Sequence, residues 1–72
     1  MQLNQLIKEE IYVSGIYSIK NTVNNKIYIG SSINIYKRIL KHRSLLRHDR
    51  HFNIILQNSY NKNLESDFIV KI

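Results

Sequence analysis

The stretch Gly15-Ile16-Tyr17-Ser18-Ile19-Lys20-Asn21-Thr22-Val23-Asn24-Asn25-Lys26-Ile27-Tyr28-Ile29-Gly30 decides how this chain folds. From Tyr12 to Lys20, β-branched and aromatic residues alternate with smaller or polar ones, and Lys26 to Gly30 repeats the pattern. Such alternation suits a sheet with one buried face, and the asparagine-rich segment between the two runs has turn chemistry. The pattern predicts a β-hairpin. With a loop over Asn21–Asn24, Asn25 would face Lys20 and Tyr17 would face Tyr28, so both phenols would project from one face.

Downstream the period changes. Asn34 is a helix N-cap, because its short side-chain carbonyl can accept from the free N–H groups of a first turn. The helix it starts should run to about Arg47, with Ile35, Ile39 and Leu46 as its buried stripe and Arg38 and His42 one turn apart along the edge. Lys37, Lys41, Arg43 and Arg47 fall on its outer surface. A second helix is expected from about His51 to Asn61, carried by Phe52, Ile55, Leu56 and Ser59 or Tyr60, and Asp67–Ile72 has the composition of a third strand. Upstream, Leu3, Leu6 and Ile7 fall at helical spacing and suggest one or two turns over residues 3–9. The expected class is α+β: a small antiparallel three-stranded sheet flanked by helices in the order β-β-α-α-β. Residues 1–12 would be an extension and residues 13–72 the domain.

Composition narrows the function. At 72 residues the chain holds one domain at most, and a core this small leaves little stability to spare. There is no cysteine, which excludes a disulfide framework or a thiolate zinc site. Thirteen isoleucines and nine asparagines favour strands and turns, in a chain whose 43% hydrophobic content is that of a globular protein. No apolar run approaches the ~20 residues that cross a bilayer, and Met1–Glu10 lacks the layout of a signal peptide, so a soluble, intracellular protein is expected. The net charge of +6 favours a polyanionic partner. Six Lys and Arg against one Asp between Lys37 and Arg50 make that segment the natural phosphate grip. Its alternative is a merely solvated helix face.

Gly15-Ile16-Tyr17 and Tyr28-Ile29-Gly30, at this spacing and followed by Arg38-x-x-x-His42, resemble the GIY-YIG endonucleases, in particular the phage and intron-encoded homing branch. The resemblance covers about residues 13–72 and includes His51, which matches a further histidine of that branch. It implies metal-dependent hydrolysis of phosphodiester bonds in double-stranded DNA. Tyr17 or Tyr28, with Tyr17 preferred, would be the general base. His42 would accept or relay its proton, and His51 would contact phosphate or a catalytic hydroxyl. Arg38, permanently charged and able to donate two parallel hydrogen bonds, suits the scissile phosphate. A tyrosine titrates near 10, so a base role requires something that favours the phenolate. Gly15 and Gly30 would border the site structurally.

The resemblance also implies Mg²⁺ or Mn²⁺ held by a glutamate on a helix after the third strand. No residue of this chain is assigned that role, Glu65 and Asp67 lying before the strand. The homing branch further carries a C-terminal DNA-binding region that has no counterpart here. Two readings stand at this point: the catalytic part of a longer nuclease, or an inactive nucleic-acid-binding or structural relic of the same fold.

Overall fold

The computed structural model describes residues 2–5 and 13–72. Strands β1 (Gly15–Asn21) and β2 (Ile27–Ser32) are followed by helices α1 (Ile35–Arg47) and α2 (Ile54–Lys62) and then by β3 (Phe68–Lys71). Single 3₁₀ turns occupy Leu3–Gln5 and Glu65–Asp67. The sheet is antiparallel with strand order β2-β1-β3. The β-β-α-α-β order and the three-stranded sheet agree with the sequence pattern. Of the turns expected over residues 3–9, the first is present at Leu3–Gln5, and the rest lies outside the described residues. So does Tyr12, the expected start of β1; Val13 and Ser14 precede the strand. No helix among the described residues is long and apolar enough to cross a membrane.

The hairpin register differs from the expected one. Tyr17 pairs with Gly30, Ile19 with Tyr28 and Lys20 with Ile27, a shift of two residues. The turn itself is the reason. Asn21 donates its N–H to the Lys26 carbonyl at 2.9 Å, and Asn25 adopts a left-handed φ of 61° with its N–H on the Asn21 carbonyl at 2.8 Å. The Asn21 and Asn24 side chains accept from the N–H groups of Val23 (2.9 Å) and Lys26 (3.0 Å). The loop is therefore Thr22–Asn25, one residue beyond the expected segment. A two-residue shift preserves the face each side chain occupies, so Tyr17 and Tyr28 still share one.

Both helices begin where asparagine caps them. The Asn34 side chain accepts from Lys37 N–H at 3.2 Å, and the Asn53 side chain from Leu56 N–H at 3.0 Å. The second cap shortens the expected helix. His51 and Phe52 precede α2, and Phe52 and Ile55 are 62% and 67% exposed instead of buried. The buried pair on α2 is Leu56 and Gln57. Likewise β3 starts at Phe68, because Asp67 closes the preceding turn by accepting from Leu64 N–H at 3.0 Å. Between the helices the chain reverses through a Schellman turn: Arg50 N–H reaches the Leu45 carbonyl (2.8 Å), Asp49 N–H reaches that of Leu46 (3.2 Å), and Asp49 takes a φ of 56°. This turn lays His51 back against α1.

The core comprises Leu3, Tyr17, Ile19, Ile35, Ile39, Leu46, Leu56, Phe68 and Val70. The Ile35, Ile39 and Leu46 stripe is as expected, but His42 lies inside it, only 1% exposed, instead of along its edge.

Candidate active site

Three side chains from separate segments form a buried line. Tyr17, on the inner face of β1, has its hydroxyl oxygen 2.6 Å from His42 Nε2, and His42 Nδ1 is 2.6 Å from His51 Nε2. The line ends on main chain, where Asn53 N–H donates to His51 Nδ1 at 3.0 Å. Tyr28 closes one side, with its ring edge-on to His42 at 5.2 Å between centroids and to His51 at 6.1 Å. Tyr17, His42 and His51 are 2%, 1% and 8% exposed, whereas Tyr28 is half-buried.

Gly30 explains how Tyr17 reaches this position. A Cβ on Gly30 would stand 2.5 Å from the Tyr17 hydroxyl oxygen and 2.6 Å from its Cζ, so the Tyr17 ring lies across the bare backbone of the paired strand. The glycine of the second tripeptide makes room for the tyrosine of the first. Gly15 has a different role. Its φ of +144° is one that side-chain-bearing residues rarely adopt, while a Cβ there would meet nothing closer than Ile35 Cδ1 at 3.8 Å.

Burial sets the electrostatics. It pushes the Tyr17 phenol up, aided by Tyr28 and opposed by the hydrogen bonding and charge of Arg38. Burial also lowers His42 to about 4, with His51, Arg38 and Lys41 adding their repulsion. His51 is likewise lowered, first by burial, with the Asn53 backbone opposing and Arg38 adding a smaller lowering. Both imidazoles are therefore neutral at neutral pH. Arg38 is half-buried, with its guanidinium carbon 5.6 Å from the centre of the Phe52 ring. Phe52 in turn stacks on His51 at 4.4 Å.

Tyr17, Tyr28, Arg38, His42 and His51 thus come together. The four basic residues expected on the outer helix surface divide. Lys37 and Lys41 join Arg38, Ser32, Ile33 and Asn34 around an open groove of about 430 Å³. Arg43 and Arg47 turn to partners within the chain. Arg43 donates to the Leu3 carbonyl at 3.3 Å, and Arg47 forms a two-pronged ion pair with Glu65 at 2.8 and 2.7 Å. Sequence reasoning placed Phe52 in the second helix and missed its contacts with Arg38 and His51, and it missed Gln57, whose amide holds His51 N–H at 3.0 Å and the Leu46 carbonyl at 3.0 Å. A buried glutamine amid apolar helix positions was the available signal.

A family model of the GIY-YIG catalytic domain matches residues 13–71. The chain belongs to the GIY-YIG family. GIY-YIG nucleases are generally dependent on divalent metals. Over 49 residues, 68% of its length, the chain is 51% identical to intron-associated endonuclease 1 of Enterobacteria phage T4, of which it spans 20%. Among solved structures it is similar to the catalytic domain of homing endonuclease I-TevI, with a TM-score of 0.78 and 43% identity over 83% of this chain and 64% of that one. It is similar also to a mutant form of the same catalytic domain, with a TM-score of 0.75 and 46% identity over 82% of this chain and 60% of that one. The chain therefore spans about a fifth of the curated relative and less than two thirds of either solved chain. These GIY-YIG relatives share its three-stranded antiparallel sheet and two helices.

The described residues do not fit a divalent metal centre. Among the described residues no three His, Asp or Glu cluster to hold an ion. Their carboxylates are engaged elsewhere: Glu65 with Arg47 and Tyr60, Asp67 with Leu64 N–H, and Asp49 with Asn61.

Proposed function

We propose that this domain is the catalytic part of a homing-type endonuclease that hydrolyses phosphodiester bonds in double-stranded DNA. The observation that carries this reading is the buried Tyr17–His42–His51 line together with Arg38, which hydrogen-bonds Tyr17 and also lines the groove edged by Lys37 and Lys41. Tyr17 is the general base: as phenolate it takes the proton of the attacking water. Arg38 donates to the phosphoryl oxygens as negative charge builds there, a role worth roughly 10²–10³ in rate for one preorganised donor. Lys37 and Lys41 contact flanking phosphates and place the strand. Tyr28 walls the site and orients water or phosphate. Phe52 holds the Arg38 guanidinium over its ring, which restricts its rotamers before substrate arrives.

Mg²⁺ or Mn²⁺ is the cation proposed for the complete enzyme, and its carboxylate ligand comes from outside the described residues. The test follows directly. In either metal the 72-residue chain should cut supercoiled plasmid barely or not at all, and joined to a further helix that carries a glutamate it should cut. In that extended protein Tyr17→Phe and Arg38→Ala should each abolish most of the activity. An extended chain that binds duplex without cutting it would favour the inactive relic, and undiminished cleavage by Tyr17→Phe would remove Tyr17 as the base.

A further inference from the structure

The role of His42 in that reading depends on which way the hydrogen bonds of the buried line point. We infer that the line has a fixed direction, set by the Asn53 backbone N–H and held by Gln57, so that His42 presents Nε2–H to the Tyr17 oxygen and does not accept the tyrosine's proton. Gln57 and His51 are then positioning residues that act through His42. This rests on the proposed base role of Tyr17 and assigns the groups that support it.

The direction follows from one end of the line. A main-chain N–H can only donate, and that of Asn53 is aimed at His51 Nδ1 at 3.0 Å. The Asn53 carbonyl receives the Gln57 N–H of α2 at 3.0 Å, and the one hydrogen bond between the Asn53 main chain and the His51 ring runs from its N–H. His51 Nδ1 is therefore the bare nitrogen, and a neutral imidazole then carries its proton on Nε2. That proton points at His42 Nδ1, 2.6 Å away, which must be bare in turn. His42 then has its proton on Nε2, facing the Tyr17 oxygen at 2.6 Å. The reverse sense would place His51 Nδ1–H against Asn53 N–H, two donors facing each other in a buried setting. No imidazolium intervenes: burial and Arg38 hold both rings below their ordinary value, and His51 and Lys41 add to this at His42.

Gln57 keeps the geometry in place. It is 5% exposed, its Oε1 accepts from His51 N–H at 3.0 Å, and its Nε2 donates to the Leu46 carbonyl at 3.0 Å and to Asn61 Oδ1 at 2.9 Å. With two acceptors on one side and a donor on the other, the amide has one orientation. It joins the end of α1 to the His51 backbone and so fixes the distance between the two imidazoles. For Tyr17, the oxygen accepts from His42 Nε2–H, and its own proton is not passed to His42. When that proton leaves to solvent, the phenolate keeps the His42 Nε2–H and gains from Arg38, and it then takes the proton of the attacking water.

Long-range ¹H–¹⁵N correlation spectra of the ¹⁵N-labelled chain at pH 7, without DNA or metal, read each imidazole nitrogen directly. Both histidines should show a protonated Nε2 and an unprotonated Nδ1, and Tyr17→Phe should leave this unchanged, because the direction is imposed from the Asn53 end. Gln57→Leu should shift His51 and His42 towards averaged nitrogen signals while the folded spectrum persists; should that variant fail to fold, the unsubstituted chain decides. A His42 protonated at Nδ1, or a tautomer that switches in Tyr17→Phe, overturns the inference. These signatures in a protein whose extended form never cuts would sink the nuclease reading alone. Cleavage by an extended protein with His42 protonated at Nδ1 would sink the fixed hydrogen-bond direction alone.

Discussion

At the scale of single residues, His42 carries the clearest thermodynamic consequence. Its folded value of about 4 lies below the ordinary 6.5, so between these values the unfolded chain binds a proton that the folded chain resists. The contribution of neutral His42 is complete above pH 6.5 and declines as pH falls towards 4. Its size is up to about 3 kcal/mol, a large share of the stability of so small a domain. Urea melts at pH 7 and pH 4.5 should show the loss, and His42→Gln should flatten it in part, since His51 is lowered as well. Stability unchanged across that range would mean that the ring reaches water in solution. Gly30 makes a second residue-level prediction. Gly30→Ala drives a methyl into the Tyr17 ring, which has no room to retreat, and should cost roughly 1–3 kcal/mol as overpacking does in cores. The substitution should also displace Tyr17 from His42, seen as altered His42 ring signals.

Among the elements, the two asparagine caps decide where the helices begin and hence where His51 and Arg38 stand. Asn34→Ala and Asn53→Ala should each lower stability by about 1 kcal/mol in denaturant titrations. Their effects on the histidines should differ from that of Gln57→Leu, since the hydrogen-bonded line uses the main-chain N–H of residue 53, which alanine retains. Loss of the His51 tautomer in Asn53→Ala would show that the cap, and not the glutamine, holds that segment. The Schellman turn after α1 has the same kind of positional role: with Asp49 left-handed, the chain doubles back within four residues of the helix end and brings His51 onto His42.

Over the whole molecule, charge is divided between folding and binding. Arg43 and Arg47 tie α1 to the Leu3–Gln5 turn and to Glu65, while Lys37 and Lys41 are exposed beside Arg38. If phosphates bind in the groove, duplex affinity should be indifferent to sequence and fall steeply with salt as counterions are released. Lys37→Glu and Lys41→Glu should each reduce the slope of log K against log salt by about 1, whereas Arg47→Gln should leave it nearly unchanged and lower stability slightly. An unaltered slope in the lysine variants would mean that this face is solvent decoration. The opposite face of the sheet is apolar and open, with Ile16 and Ile29 each 68% exposed and Ile27 55% exposed, so the basic groove and the bare sheet lie on different sides of the domain.

The sequence by itself determined what local physics can specify. Alternation and asparagine-rich turns gave the hairpin, Asn34 with Ile35, Ile39 and Leu46 gave α1 and its inward stripe, and the two tripeptides with Arg38 and His42 marked the site. Only the tertiary structure decided the rest, because each remaining feature depends on contacts between residues distant along the chain. The register was settled by side-chain hydrogen bonds inside the turn, which a two-fold strand period does not distinguish from a shift of two. The place of His51 depended on Asn53 displacing the expected helix start and on Gln57 reaching the end of α1. Arg43 and Arg47 looked like Lys37 and Lys41 in the sequence, and differed once Leu3 and Glu65 were brought beside them. The direction of the hydrogen bonds through His42 follows from a main-chain N–H, a donor that every residue but proline carries and that acquires meaning only from what it faces.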